Sequence, residues 1–210
     1  MHLQHPPRPK ERQAIKAWNR QKIIDATIAV INAQGIAGTT IARVVELAEV
    51  SMGLVNLHFE SKQRLLEATL AHMAEQYDAH WKAALQVAPN ETGARIRALV
   101  LADLDPSVLN LDTLGIWYAF RAQTRINPAL VSLVGNRDRQ LSTQYLKLFE
   151  CLNRENGCDH PVETVTRGLI AMLEGIWADY FLYPEEFDHN NALTLPTLYL
   201  ETLYPGNFGD

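Results

Sequence analysis

Residues 50–62 read VSMGLVNLHFESK and place Gly53 and Asn56 inside a short helical pattern bounded by Ser51 and Ser61. Glycine and asparagine both weaken a helix, glycine by about 1 kcal/mol relative to alanine. At ~100° per residue, Val55 and Phe59 share one face, while Gly53, Asn56 and Leu57 fall on the other. The inner face is apolar and the outer face is small, polar and approachable. A requirement other than helix stability shapes that outer face.

Working outward, Thr40 is placed to cap a preceding helix whose inner side is Ile41, Val44, Val45 and Ala48. Only Glu49-Val50 separates the two helices. Two short amphipathic helices joined by so brief a turn form a helix-turn-helix unit, whose second helix enters the major groove of DNA. Each outer residue then has a use. Gly53 lets the backbone approach, Asn56 can pair with adenine or donate to phosphate, and Met52 and Leu57 face the base edges. Capped helix starts at Thr40, Ser51 and Ser61 offer N–H groups to phosphates, with His58 and the Lys62 cation beside them. Arg43 and Leu54 complete the expected DNA-facing set.

The charge distribution agrees. The 210-residue chain carries a net charge of −5, yet residues 1–64 hold nine Lys/Arg against five Asp/Glu, and residues 65–210 hold ten against nineteen. A basic head on an acidic body suits a chain of which only the head meets a polyanion. No run approaches the ~20 apolar residues of a membrane-spanning helix. The start, MHLQHPPRPKER, lacks the apolar stretch of a secretory signal. Cys151 and Cys158 alone make no disulfide framework, which suits a cytoplasmic location.

Helical periodicity runs through the chain from about residue 13 and strand-like alternation is nearly absent, so the expected fold is all-α with about nine helices. Residues 1–12 read as a flexible basic arm, with Arg8, Lys10 and Arg12 placed to reach DNA. Residues 13–64 read as the helix-turn-helix domain, and residues 65–210 as a ligand-binding and dimerisation domain. A long fourth helix starting at Ser61 joins them. The last helix is expected over 188–204, with Pro196 either kinking it or delaying its start.

TTIARVVELAEVSMGLVNLHFESKQRLLEA resembles the DNA-binding domain of TetR-family transcriptional regulators, over about residues 20–70. Thr40, Ser51, Gly53, His58, Phe59 and Lys62 match the family pattern. Glu49 stands where the family has a turn glycine, Val45 and Leu47 replace small alanines, and Asn56 stands where a phosphate-contacting tyrosine is common. These departures bear on the operator sequence. DPSVLNLDTLGIWYAFRAQTRINPALVSLVGNRDRQL and GLIAMLEGIWADYFL look like the choline-responsive BetI branch. That resemblance implies a ligand pocket among the middle helices and a dimer interface made by the last two.

In the body, Tyr77, Trp81, Trp117, Phe120, Tyr145 and Trp177 lie on helices expected to converge, with Glu174 as a counter-charge. Aromatic faces attract quaternary ammonium groups such as choline, although aromatic residues at helical spacing also simply fill cores. Helix 161–183 is apolar on two sides. Its stripe Val165, Leu169, Met172 and Ile176, with Leu198 and Leu203 of the last helix, is expected to form an isologous homodimer interface. No nucleophile elbow, phosphate-cradling loop or metal-ligand set occurs, so no catalytic or metal site and no cofactor are expected. The residues point to a repressor of a near-palindromic double-stranded DNA operator, released by a small-molecule effector. They leave open a helical sensor or interaction protein without operator binding.

Overall fold

A computed structural model describes His5, Pro7, residues 9–125 and residues 127–208; for Pro128, Ala129, Val134, Asn136 and Arg137 it describes the backbone alone. Nine helices and no strand occur among the described residues. They are α1 (Arg12–Gly38), α2 (Ile41–Ala48), α3 (Met52–Phe59), α4 (Lys62–Val87), α5 (Thr92–Asp103), α6 (Leu111–Gln123), α7 (Pro128–Asn156), α8 (Val162–Leu182) and α9 (Thr194–Leu203). The chain divides into two compact units, Met1–Ala74 with Gly115–Val134, and Glu75–Leu114 with Gly135–Asp210. The division falls inside α4, about ten residues beyond the expected change of character near residue 64.

Local chemistry sets the helix boundaries of the first unit. The side-chain oxygen of Thr40 accepts from the Arg43 backbone N–H at 3.3 Å, that of Ser51 from Leu54 at 3.2 Å, and that of Ser61 from Arg64 at 3.2 Å. Each cap satisfies a donor that the first turn of a helix leaves without an internal partner. Gly35 leaves helical geometry at φ 68°, which breaks α1 three residues before its end. The core of this unit joins Ile23, Ile24, Ala26 and Val30 of α1, Val44 and Ala48 of α2, Val55 and Phe59 of α3, and Leu65 of α4.

Of the N-terminal arm, His5 is docked on α1. His5 packs edge-on against Trp18 with ring centroids 6.4 Å apart, and its Nδ1 lies 3.4 Å from the Asp25 carboxylate. Lys10 and Arg12 are exposed, and Arg8 lies outside the described residues.

In the second unit, Tyr145, Phe149 and Tyr204 form a stack with centroids 6.2 and 5.9 Å apart. The buried stripe of α8 is Val165, Leu169, Leu173 and Trp177, at a spacing of four. Val165 and Leu169 are 3% and 0% exposed and so belong to the chain's own interior, which removes them from the expected partner-facing stripe. Tyr199 of α9 donates its hydroxyl to the Val165 carbonyl at 3.1 Å and ties α9 to α8. The last helix begins at Thr194, not near Asp188, and Pro196 is its third residue. The first N–H groups of a helix have no internal partner, so a proline there costs no hydrogen bond. Thr194 is the first helical residue and not a cap.

The α2–α3 turn holds Glu49 at φ 50°, ψ 46°, the left-handed conformation that a glycine adopts without cost. An L-residue with a Cβ loses about 1 kcal/mol there. Glu49→Gly is therefore expected to raise stability by about that amount, seen as a higher urea midpoint at unchanged slope. An unchanged midpoint would show that contacts of the Glu49 side chain offset the strain.

Candidate nucleic-acid interface and ligand cavity

Val55 and Phe59 anchor α3 in the core and turn Met52, Gly53, Asn56 and Leu57 outward, all four exposed. Gly53 is not required by the protein's own packing. Its φ is not positive, and a Cβ there would meet only Ser51 Oγ, at 4.0 Å. The helix-weakening glycine thus leaves an open, low surface on the outer side of α3. Leu54, half-buried, packs on the core and is less available than its neighbours.

The expected phosphate-holding residues fall into two groups. Thr40, Arg43 and Ser51 are exposed around the turn, with Arg43 Nη1 donating to the Gly38 carbonyl at 2.5 Å. Lys62 is half-buried, and its Nζ donates to the Ile36 carbonyl at 3.3 Å, which ties the start of α4 to the end of α1. His58 is also half-buried. Its burial, then the charges of Lys16 and Arg20, hold its pKa below the ordinary value. At neutral pH the ring is a neutral N–H donor and not a cation. Lys16 and Arg20 were not among the sequence candidates, yet both are exposed on α1, and the Arg20 guanidinium lies 5.5 Å from the Phe59 ring centroid. Their i, i+4 spacing within the basic head is a sequence signal that could have found them.

The second unit holds a cavity of about 270 Å³ lined by Tyr77 of α4, Asp103 of α5, Asp138, Arg139, Leu141 and Ser142 of α7, and Ile170, Leu173, Glu174 and Trp177 of α8. Tyr77 donates its hydroxyl to the Asp103 carboxylate, and Trp177 Nε1 donates to the Asp103 carbonyl at 3.1 Å. The two rings meet edge to face, 6.2 Å apart at 88°. Asp103 is only 6% exposed. Three carboxylates against one guanidinium give the lining an excess of negative charge. Of the sequence candidates, Tyr77, Glu174 and Trp177 line this cavity. Trp81 and Tyr145 are buried in the same unit, with Trp81 Nε1 donating to Asp78 at 3.1 Å. Tyr145 is fully buried, and that burial, with the Asp103 charge, pushes its pKa well up. Trp117 and Phe120 are buried too and belong to the Gly115–Val134 part of the first unit. Asp103, Asp138 and Arg139 were not anticipated.

On the outer side of α8 and α9, Met172, Ile176 and Leu203 are half-buried, whereas Leu195 and Leu198 are exposed.

Residues 23–69 match the family described as bacterial regulatory proteins, tetR family, and residues 93–205 match the BetI-type transcriptional repressor C-terminal family. The HTH-type transcriptional regulator BetI of Yersinia pestis (strain Pestoides F) is 32% identical over 187 residues, covering 87% of this chain and 90% of the relative. The chain belongs to the TetR family, with a BetI-type C-terminal region. A Paraburkholderia phymatum regulator of the same name is 33% identical over 187 residues, covering 88% of this chain and 92% of its own. In fold, a chain from Pseudomonas aeruginosa PAO1 described as a transcriptional regulator superposes with a TM-score of 0.82 at 23% identity, over 94% and 93% of the two chains. A regulator from Saccharomonospora viridis, solved in complex with choline, does so at 0.73 and 14% identity, over 87% and 95%.

The TetR-family chain is thus a DNA-binding transcriptional repressor and not an enzyme, and members of the family bind operator DNA and small-molecule effectors as dimers. Among its described residues no helix is long and apolar enough to cross a membrane.

The His58 environment gives a pH expectation. A depressed folded pKa means the fold favours the neutral ring, so protonation costs stability as pH falls through the ordinary histidine value of about 6.5. NMR titration of the free protein should place the His58 pKa below that value. Binding of a DNA duplex should raise it if phosphate lies beside the ring. An equal pKa with and without DNA would remove His58 from the interface.

Proposed function

We propose that this repressor binds a near-palindromic operator as a homodimer and is released from it by a small organic cation. The observation that carries the effector class is the cavity lining, in which Asp103, Asp138 and Glu174 outnumber Arg139 beside the Tyr77 and Trp177 rings. Carboxylates and aromatic faces both favour a cation, and about 270 Å³ suits a ligand of only a few heavy atoms. The Saccharomonospora viridis neighbour was solved with choline, which makes a quaternary ammonium compound the first to test.

The DNA side of the proposal assigns base contacts to Asn56, Leu57, Met52 and Gly53. Phosphate contacts go to Thr40, Arg43, Ser51 and His58, joined by Lys16 and Arg20, with the remaining donors of Lys62. Helix α4 belongs to both units. Its capped start carries Lys62, and Tyr77 on the same helix lines the cavity. An effector that favours one position of this helix can therefore alter the spacing of two DNA-reading heads. The dimer interface is assigned to the outer face of α8 and α9, through Met172, Ile176, Leu195, Leu198 and Leu203, which the chain's own core leaves uncovered to differing degrees.

Linkage fixes the form of the test, because effector and operator must weaken each other by one common factor. Calorimetric titration with choline should show binding at or below millimolar concentration, and choline should lower operator affinity. Asp103→Asn should weaken choline binding while leaving operator affinity without choline unchanged. Binding of an uncharged apolar compound, with none of choline or of a protonated amine at millimolar concentration, would overturn the cationic effector and leave the repressor in place.

A further inference from the structure

Helix α3 exposes two large apolar side chains, Leu57 at 73% and Met52 at 44%. Both lie on the face from which Val55 and Phe59 point away, beside exposed Asn56 and the open surface at Gly53. A leucine has no donor and no acceptor, so it cannot recognise the polar edges of guanine, cytosine or adenine. The major groove presents one apolar group, the 5-methyl of thymine. We propose that Leu57 is a specificity-determining residue that reads a thymine methyl in each operator half-site, with Met52 packing at the edge of the same contact. This rests on operator binding by α3 and adds the identity of a base.

The neighbouring chemistry is consistent. Asn56, adjacent in sequence on the exposed face, has the paired donor and acceptor that match adenine N7 and N6. The half-site under α3 is then rich in A·T pairs. Leu57 can serve here at little cost to the fold, because its side chain adds almost nothing to the core that holds α3. Leu54, Val55 and Phe59 make those contacts.

The experiment selects duplexes from a random pool with the full chain and then changes single atoms of the selected site. Replacing each thymidine in turn by deoxyuridine removes only the methyl. At one position per half-site this should weaken wild-type binding about four-fold, and about fifteen-fold when both half-sites are changed, the value of one buried methyl group. Leu57→Ala should bind the thymine and uracil forms equally, with its thermal unfolding unchanged. Placing 5-methylcytosine against guanine at the same position should bind more tightly than cytosine for the wild type and not for Leu57→Ala. Full discrimination retained by Leu57→Ala, or no position at which uracil weakens binding, would overturn the proposal. A pool that enriches no sequence would contradict operator binding itself, and the assignment of Leu57 with it.

Discussion

The burial of Val55 and Phe59 against Ile23, Ile24, Val44 and Ala48 is the constraint on which the DNA-facing surface depends. A helix of eight residues is marginal in water by itself. Here two side chains, each worth about 1.5–3 kcal/mol when fully buried, outweigh the ~1 kcal/mol that Gly53 costs and the smaller cost of Asn56. The core therefore frees the outer face from any duty to stabilise the helix. That face carries a glycine, an asparagine and an exposed leucine, none of which the helix needs for its own packing. Caps at Ser51 and Ser61 and the strained Glu49 turn fix where the face begins and ends.

Charge is segregated to match. The exposed cations Lys16, Arg20 and Arg43 belong to the unit that carries α3, whereas the second unit lines its cavity with Asp103, Asp138 and Glu174. One unit carries exposed cations and the other a cavity with more carboxylates than cations in its lining. Each is equipped by side chains on rigid helices, which hold a site more closely than loops do.

The helix-turn-helix was legible in the sequence because its signals are local: caps at fixed offsets, and an inner face defined by Val55 and Phe59 four residues apart. The departure at Glu49 was visible through the family resemblance, which left open whether the turn strains or avoids a positive φ, and the observed φ of 50° is the strained alternative. The body was harder to read. Helix α8 is apolar on two sides, so periodicity could not say which stripe faces inward, and Val165 and Leu169 were assigned outward when they are core. The start of α9 was obscured because apolar residues, interrupted only by Thr194, continue back from Pro196 to Ala192, and a proline signals a boundary without saying on which side the helix lies. The aromatic residues pointed to Tyr77 and Trp177 but equally to Trp81, Trp117, Phe120 and Tyr145. Asp103, Asp138 and Arg139 come from helices far apart in the chain, and only their convergence makes them a set. The one local sign was an aspartate closing the apolar run of α5, beside buried Leu99, Val100 and Ala102.

Hydroxyl-radical footprinting of the full chain on a selected duplex is the most direct test of the central claim, that two copies of the α3 face engage one operator. The expected result is two protected segments related by a two-fold axis and centred about one helical turn, ~34 Å, or a multiple of it apart. Their protection should persist in excess random competitor DNA. A single protected segment, or diffuse protection that competitor removes, would contradict the account.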